Sequence, residues 1–248
     1  MIVEIAKLRR TKVVLLGFLL CAGIVLFAGM NLFAGGRIDD FHADPEASWA
    51  GHLVGYCMAL AFLSPLQLAV VASRVVDTEN VNGGWRLNAI AGVPPSTLIV
   101  RKFAVATVLV AMFKLVEFVG VIVVPLLMGA PVPGSEMLST WVFFGLGALG
   151  ISLTLLAVML WLAAVTDSQI VVLAIGVVGG FLGVAALLSP TWLAAINPFG
   201  YFAMLTPFTF GDSGISPTTP HWLAWGIYII TAVAVVTAAT RMLDQKEH

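Results

Sequence analysis

Charged residues are scarce in this sequence. Its 248 residues include 12 Lys and Arg and 13 Asp and Glu, so 10% of the chain is charged, whereas 60% is hydrophobic. A soluble domain carries about 25% charged residues, because water must wet its surface. With a mean hydropathy of +1.04, this chain has too little charge to cover a globule in water. Lipid must therefore be its main solvent.

Other absences narrow the functional classes. A net charge of −1 argues against nucleic acid as a partner. The two cysteines, Cys21 and Cys57, lie inside apolar runs and are expected to be packing residues, not a disulfide framework. The four histidines are scattered and no His-Glu-x-x-His or Cys-x-x-Cys motif occurs, so no metal site is predicted. Neither a phosphate-binding loop nor a G-x-S-x-G motif is present, and this chain is not expected to be an enzyme.

Long apolar runs dominate the chain instead. A helix needs about 20 apolar residues to cross the bilayer core. Six segments meet this need, at residues 13–33, 51–72, 103–128, 138–165, 170–188 and 222–240. The first follows a basic stretch, but its apolar run of about 21 residues exceeds the 7–15 of a secretory signal core. We therefore expect it to be an uncleaved first span.

Lys and Arg concentrate on one side of these spans. With the amino terminus placed inside, the inner segments hold ten basic residues and the outer segments hold only Arg37. The inner ten are Lys7, Arg9, Arg10, Lys12, Arg74, Arg86, Arg101, Lys102, Arg241 and Lys246. Because cytoplasmic loops carry an excess of Lys and Arg, we expect both termini in the cytoplasm and the acidic segment 39–46 outside. The sequence predicts an all-α, multi-pass membrane protein with six transmembrane helices in one domain, 1–248.

The inner loop at 73–102 is the most distinctive stretch. It contains helix-capping and helix-breaking residues in the order Asp77 and Thr78, Gly83 and Gly84, Pro94 and Pro95, Ser96 and Thr97. These predict a short cytoplasmic helix, broken or bent at the glycines, and a capped start of the third span. Trp85 and Arg86 are expected to be exposed on it, and both types are favoured anchors at protein interfaces. An ordinary polar connector with a Trp among lipid headgroups is the alternative.

Lys114 and Glu117 lie midway along the third span. Spaced i,i+3, they share one helical face and can pair. Charges at the bilayer centre are costly and usually face a protein interior or a cavity. The pair is therefore either a self-neutralising packing device or a polar lining of a transport path.

The segment 189–221, before the last span, is apolar and aromatic in its first half. Its aromatic residues there are Trp192, Phe199, Tyr201, Phe202 and Phe208. Apolar runs of 10–14 residues are more typical of interfacial or re-entrant segments than of spans. The alternative is an aromatic belt that anchors an outer loop at the headgroups.

The order of these features resembles the permeases of type-2 ABC exporters, especially the small subunits of lantibiotic-immunity and bacitracin-type transporters. The resemblance covers the layout of the whole chain and is closest over residues 74–102. The residues that carry it are the stretch Glu4, Lys7, Arg9 and Arg10, the segment Glu79-Asn80 through Trp85-Arg86, the Pro95-Ser96 step, and Arg101-Lys102. Adjacent glycines at 83 and 84 depart from the commonest pattern.

The resemblance implies a function. In that family the cytoplasmic helix inserts into a cleft of the ATP-binding subunit, which makes Glu79, Asn80, Trp85 and Arg86 candidate coupling residues. It also implies a re-entrant external gate, with Asn197, Phe199, Tyr201 and Phe202 as candidates. The expected assembly is a plasma-membrane exporter of an apolar or amphipathic compound or peptide, with two ATP-binding subunits that hold ATP and Mg, and a second permease, the same or related. The alternatives are a non-transporting membrane partner or sensor and, less favoured, a membrane-embedded enzyme.

Overall fold

The computed structural model describes residues 11–33, 37–80, 83–166, 168–211 and 214–246. Its helices are α1 (Val13–Ala28), α2 (Arg37–Ala43), α3 (Pro45–Asn80), α4 (Gly84–Ile90), α5 (Pro95–Leu127), α6 (Ser135–Thr166), α7 (Gln169–Leu187), α8 (Thr191–Ile196), α9 (Tyr201–Met204) and α10 (Trp222–Lys246). A 3₁₀ turn, Met30–Phe33, follows α1. The helical, multi-pass membrane architecture is confirmed. The predicted basic stretch with Glu4, Lys7, Arg9 and Arg10 lies outside the described residues.

Six apolar helices occupy the positions of the six predicted spans. In the part of the chain that the structure describes, five of them are long and apolar enough to cross a membrane, namely α3, α5, α6, α7 and α10. Helix α1 is equally apolar, but it has only 16 residues.

Helix α3 is longer than the predicted span at 51–72. It has 36 residues, which at a rise of 1.5 Å per residue makes about 54 Å, against a bilayer core of about 30 Å. Asp44 caps its start by accepting the N–H of Ala47 at 3.1 Å, and Pro45 occupies the first helical position. The helix then continues through Asp77 and Thr78, so the predicted capping of a short helix by these residues is wrong.

Helix α3 is also the centre of the bundle. Its apolar window is 67% buried, whereas that of α10 is 6% buried. It packs against α1, α6 and α7, while α10 lies at the edge against α5 and α6. Helix α3 therefore contacts most of the other helices of the bundle.

Glycines of α7 allow it to approach α3 closely. Pro65 has no N–H, so the carbonyl oxygen of Ala61, four residues earlier, has no helical partner. A Cβ at Gly183 would lie 2.5 Å from this oxygen, and one at Gly180 would lie on the carbonyl oxygen of Phe62. Any larger residue would push the two helices apart. These glycines thus allow α7 to pack tightly against α3.

The end of α10 caps the start of α5. The backbone N–H of Ser96 donates to Asp244 Oδ1 at 3.0 Å, and no side chain of the loop caps this helix. The predicted capping by Ser96 and Thr97 is therefore wrong. The contact places the carboxyl-terminal end of α10 on the same side as the 73–102 loop, as the predicted topology requires.

A β-hairpin interrupts the helical fold before α10. Strand β1 (Phe208–Gly211) pairs antiparallel with β2 (Gly214–Pro217), in the register Phe208↔Pro217 and Gly211↔Gly214. The strands were not predicted, because the segment was interpreted only as a re-entrant or belt loop. Glycines flanking a short polar turn between β-forming residues are the signal that was available.

Candidate functional site

Between α3 and α5, the turn residue Gly83 precedes the short helix α4. Gly83 makes the turn with a φ of 62°, a conformation that only glycine adopts without strain. Gly84 is the first residue of α4 and lies beside Glu79. The Glu79 carboxylate occupies the place that a Cβ at position 84 would take. The two glycines, which depart from the family pattern, bring α4 back onto the end of α3.

Glu79 is the centre of a buried clamp, which we define as Glu79, Asn88 and Lys102. Glu79 is 2% exposed and Lys102 is 1% exposed. Lys102 Nζ lies 3.2 Å from Glu79 Oε1 and donates to the carbonyl oxygen of Val75 at 2.8 Å. Asn88 donates to Glu79 Oε2 at 3.2 Å. The clamp joins α3, α4 and α5 into one unit.

Trp85 is half-buried, not exposed as predicted. Its indole N–H donates to Asn80 Oδ1 at 2.6 Å, and its ring packs against the hydrophobic core. Three of the four predicted coupling residues, Glu79, Asn80 and Trp85, therefore make contacts within the chain, whereas Arg86 is exposed.

Two apolar residues accompany Arg86 on the outside of α4. Leu87 is 64% exposed and Ile90 is 84% exposed. Spaced i,i+3, they share one helical face, and we call Arg86, Leu87 and Ile90 the α4 face. Sequence reasoning missed Leu87 and Ile90, although this apolar spacing inside a polar loop was a readable signal.

Lys114 and Glu117 form a buried ion pair within the bundle. Lys114 Nζ lies 2.7 Å from Glu117 Oε2, and the two residues are 5% and 0% exposed. Gln67 of α3 completes a triad, since it accepts from Lys114 at 2.8 Å and donates to Glu117 Oε1 at 2.6 Å. Such a satisfied pair avoids the cost of a lone buried charge. Gln67, an amide inside an apolar span, was not singled out from the sequence.

The four predicted gate residues lie where the chain turns between α7 and the hairpin. The Asn197 side chain donates to the carbonyl oxygen of Leu182 at 2.8 Å and accepts the N–H of Phe199 at 3.0 Å. The Tyr201 hydroxyl donates to the carbonyl oxygen of Ala195 at 3.0 Å. These bonds fold α8 and α9 back against α7.

Helix α9 also reaches the centre of the bundle. Phe202 is fully buried, and its carbonyl oxygen accepts the thiol of Cys57 in α3 at 3.3 Å. The Tyr201 ring stacks on Tyr228 of α10 with centroids 3.9 Å apart. The segment thus links α3, α7 and α10 at the end of the bundle opposite the clamp.

These features define a class of protein: a multi-pass helical membrane protein in which a short helix, α4, is fixed to two long apolar helices. Residues 1–183 match the family model described as ABC-2 family transporter protein. The chain belongs to this family and is the membrane-embedded permease subunit of an ABC transporter. The matched range ends within α7, and no curated protein matches the chain.

Proposed function

We propose that this permease exports an apolar or amphipathic compound or peptide across the plasma membrane. ATP and Mg would be bound by a separate ATP-binding subunit, present in two copies, and a second permease, the same or related, would complete the path. The single observation that carries this proposal is the α4 face, where two exposed apolar side chains and an arginine stand on a helix fixed to α3 and α5. Arg is a favoured anchor at protein interfaces, and exposed apolar side chains beside it gain stability when a partner removes them from water.

The four candidate coupling residues would have two different roles in coupling. Arg86, with Leu87 and Ile90, would contact the ATP-binding subunit. Glu79, Asn80 and Trp85 would brace α4 from inside, so that a push on α4 moves the ends of α3 and α5 together. A packed unit that has two stable arrangements can convert a local contact into a larger rearrangement.

At the outer end, the proposal assigns gating to the turn with Asn197, Phe199, Tyr201 and Phe202. Its support is the contact of α9 with α3, the helix that carries the clamp at its other end. Lys114 and Glu117 would fix the packing of α5 on α3 and would not line the path, because both are buried inside one chain.

The experiment is co-purification of an ATP-labelled partner. The full-length chain, tagged and expressed in its own host, would be extracted in mild detergent and photolabelled with azido-ATP and Mg. We expect a labelled polypeptide with the wild type. Loss of an interface anchor of about 2 kcal/mol corresponds to about 30-fold in affinity, so Arg86→Glu and Ile90→Glu should lose the label.

Arg241→Glu is the matched control, since Arg241 is also exposed and lies on the same predicted side, in α10. It should retain the labelled partner. Equal labelling of the wild type and both α4-face variants would contradict the proposed contact, and absence of any labelled partner from the wild type would contradict the two-polypeptide assembly.

A further inference from the structure

A groove of about 440 Å³ lies between α6, the start of α10 and the root of the β-hairpin, at the end of the bundle opposite the clamp. Its walls carry four aromatic rings, three prolines and one leucine, and its polar side chains are those of two threonines. Among the described residues that line it, none is charged. This size and this apolar lining are typical of a ligand site, and nothing in the proposed coupling or gating uses the groove.

The floor of the groove packs tightly on α6. Phe144 and Leu205 are buried there. Gly147 of α6 allows the close approach, because a Cβ at this position would lie 2.5 Å from Leu205 Cδ1 and 3.1 Å from Trp222 Cζ3. Trp222 packs edge-on against Trp225 with centroids 5.7 Å apart, and the Trp225 indole N–H donates to the carbonyl oxygen of Gly147 at 3.1 Å. The floor is thus fixed before a ligand arrives, which lowers the entropic cost of binding.

The hairpin side of the groove offers a ligand little backbone to hydrogen-bond. Pro207, Pro217 and Pro220 line it and have no N–H. The carbonyl oxygen of Pro207 accepts the N–H of Thr218 at 2.8 Å, and that of Pro220 accepts the N–H of Trp222 at 3.0 Å. A peptide bound here would leave its own backbone groups unpaired, at a cost comparable to a lost hydrogen bond. These walls therefore suit hydrocarbon.

The groove opens onto the apolar outer surface of the bundle. Phe143, which is 61% exposed, and Trp222, which is 39% exposed, stand at its edge. Beside them lie the exposed side chains of Leu146 in α6 and Leu223 in α10. An empty groove would lose dispersion contacts along its walls, and water inside it would have to hydrate an apolar surface. In a bilayer, the hydrocarbon within reach of this opening is the acyl chain of a phospholipid.

The size of the groove argues against a helix of a second permease as its occupant. One turn of an α-helix, about 10 Å across and about 5.4 Å long, occupies about 420 Å³. A single turn would therefore take up the whole groove of about 440 Å³. A span of a second copy could cover the groove but not enter it, whereas a single chain of methylene groups can enter.

We propose that this groove binds one acyl chain of a phospholipid in the predicted outer leaflet. The chain would lie against the rings of Phe143, Phe144 and Phe208. The indole N–H of Trp222, at the edge, would donate to the ester carbonyl of the same lipid, since tryptophan is favoured at the level of the headgroups. The lipid would thereby fix the start of α10, the least buried of the five long apolar helices, to α6 and the hairpin.

The test uses the purified full-length chain in phosphatidylglycerol nanodiscs that include phosphatidylglycerol with a diazirine in one acyl chain. After irradiation, the cross-linked residues are identified by mass spectrometry. Surrounding lipid should label exposed residues in the middle of α10, such as Val233. A chain held in the groove should also label Phe208 and Pro217, which belong to the hairpin and not to a span. We call these two cross-links the hairpin labels.

Thr140→Trp is the decisive variant, because a large ring on the α6 wall would take the place of the chain. Ser139→Trp is its matched control. The hydroxyls of Thr140 and Ser139 both donate to the carbonyl oxygen of Glu136, at 3.0 and 2.7 Å. Ser139, however, is exposed and does not line the groove.

We expect Thr140→Trp to lose the hairpin labels and to keep the label on Val233. Ser139→Trp should keep all of them, as the wild type does. Thr218→Trp closes the groove from the hairpin side, where Thr218 is exposed, and should behave like Thr140→Trp. This second variant serves if the first does not fold, as judged by its thermal midpoint.

Three results would overturn the proposal. They are absence of the hairpin labels from the wild type, their persistence in a folded variant whose groove is filled, and their equal loss in Ser139→Trp. The site concerns lipid binding alone, so none of these results depends on the ATP-binding subunit or on transport.

Discussion

Lys102 Nζ lies 3.2 Å from Glu79 Oε1, and both residues are buried where α3 and α5 meet. Removing one partner leaves the other as an uncompensated buried charge, at a cost of about 3–5 kcal/mol. We therefore expect Glu79→Gln and Lys102→Met each to lower the free energy of unfolding strongly. The double variant should recover most of the loss, as measured by thermal unfolding in detergent.

Arg101→Met is the control for this double-mutant cycle, because Arg101 is exposed next to Lys102. An exposed substitution usually changes stability by no more than about 0.5 kcal/mol. If Glu79→Gln were as harmless as Arg101→Met, the clamp would not hold the short helix to the spans.

The triad of Gln67, Lys114 and Glu117 allows a second double-mutant cycle, in which Lys114 and Glu117 are changed. Lys114→Met or Glu117→Gln alone should reduce expression and thermal stability, since each leaves a charged or polar partner buried and unpaired. The two changes together should restore both properties. Stable single variants with altered transport selectivity would instead favour a path-lining role for the pair.

Gly180 and Gly226 offer matched alanine substitutions in two spans. A Cβ at Gly180 would lie on the carbonyl oxygen of Phe62, whereas a Cβ at Gly226 would meet nothing within 4 Å. Gly180→Ala should therefore destabilise the protein by about 1–3 kcal/mol through overpacking. Gly226→Ala should be neutral or slightly stabilising, because alanine is the better helix former. Equal thermal midpoints for the two variants would contradict the close packing of α7 on α3.

The predicted orientation can be checked with an impermeant thiol reagent on intact cells. The native thiols of Cys21 and Cys57 are buried, so the wild type should not react. Asp39→Cys, on the exposed side of α2, should react from outside. Arg86→Cys should react only after the membrane is permeabilised. The reverse pattern would invert the topology and place the α4 face outside.

The bilayer explains why the spans were readable from sequence. An apolar run long enough to cross the membrane has few alternatives to a helix, and the six segments predicted all appear as helices. The residues at which these helices begin and end were harder to predict from the sequence. Arg74 and Asp77 looked like the start of a loop, yet α3 continues past both to Asn80, because a helix can continue beyond the lipid.

The residues of the proposed coupling loop could be located from the sequence, but their individual roles could not be assigned. Glu79, Trp85 and Arg86 were singled out together, although only Arg86 is exposed. Which side of a helix faces inward depends on contacts from residues far along the chain. Lys102, which follows Glu79 by 23 positions, pairs with Glu79 and helps to bury it. The sequence near Glu79 does not predict this contact. Gln67 was missed for the same reason, since its partners lie in another span.

The contact between Ser96 and Asp244 has a consequence for the order of assembly. Helices insert into the membrane as the chain is made, amino-terminal ones first. The start of α5 is synthesised about 150 residues before the carboxylate that caps it. Until then the first turn of α5 lacks this cap, and its backbone N–H groups are left to water or headgroups. Helix α10, whose apolar window is 6% buried, is made last, and the hydrogen bond from Ser96 to Asp244 then fixes its end to the start of α5.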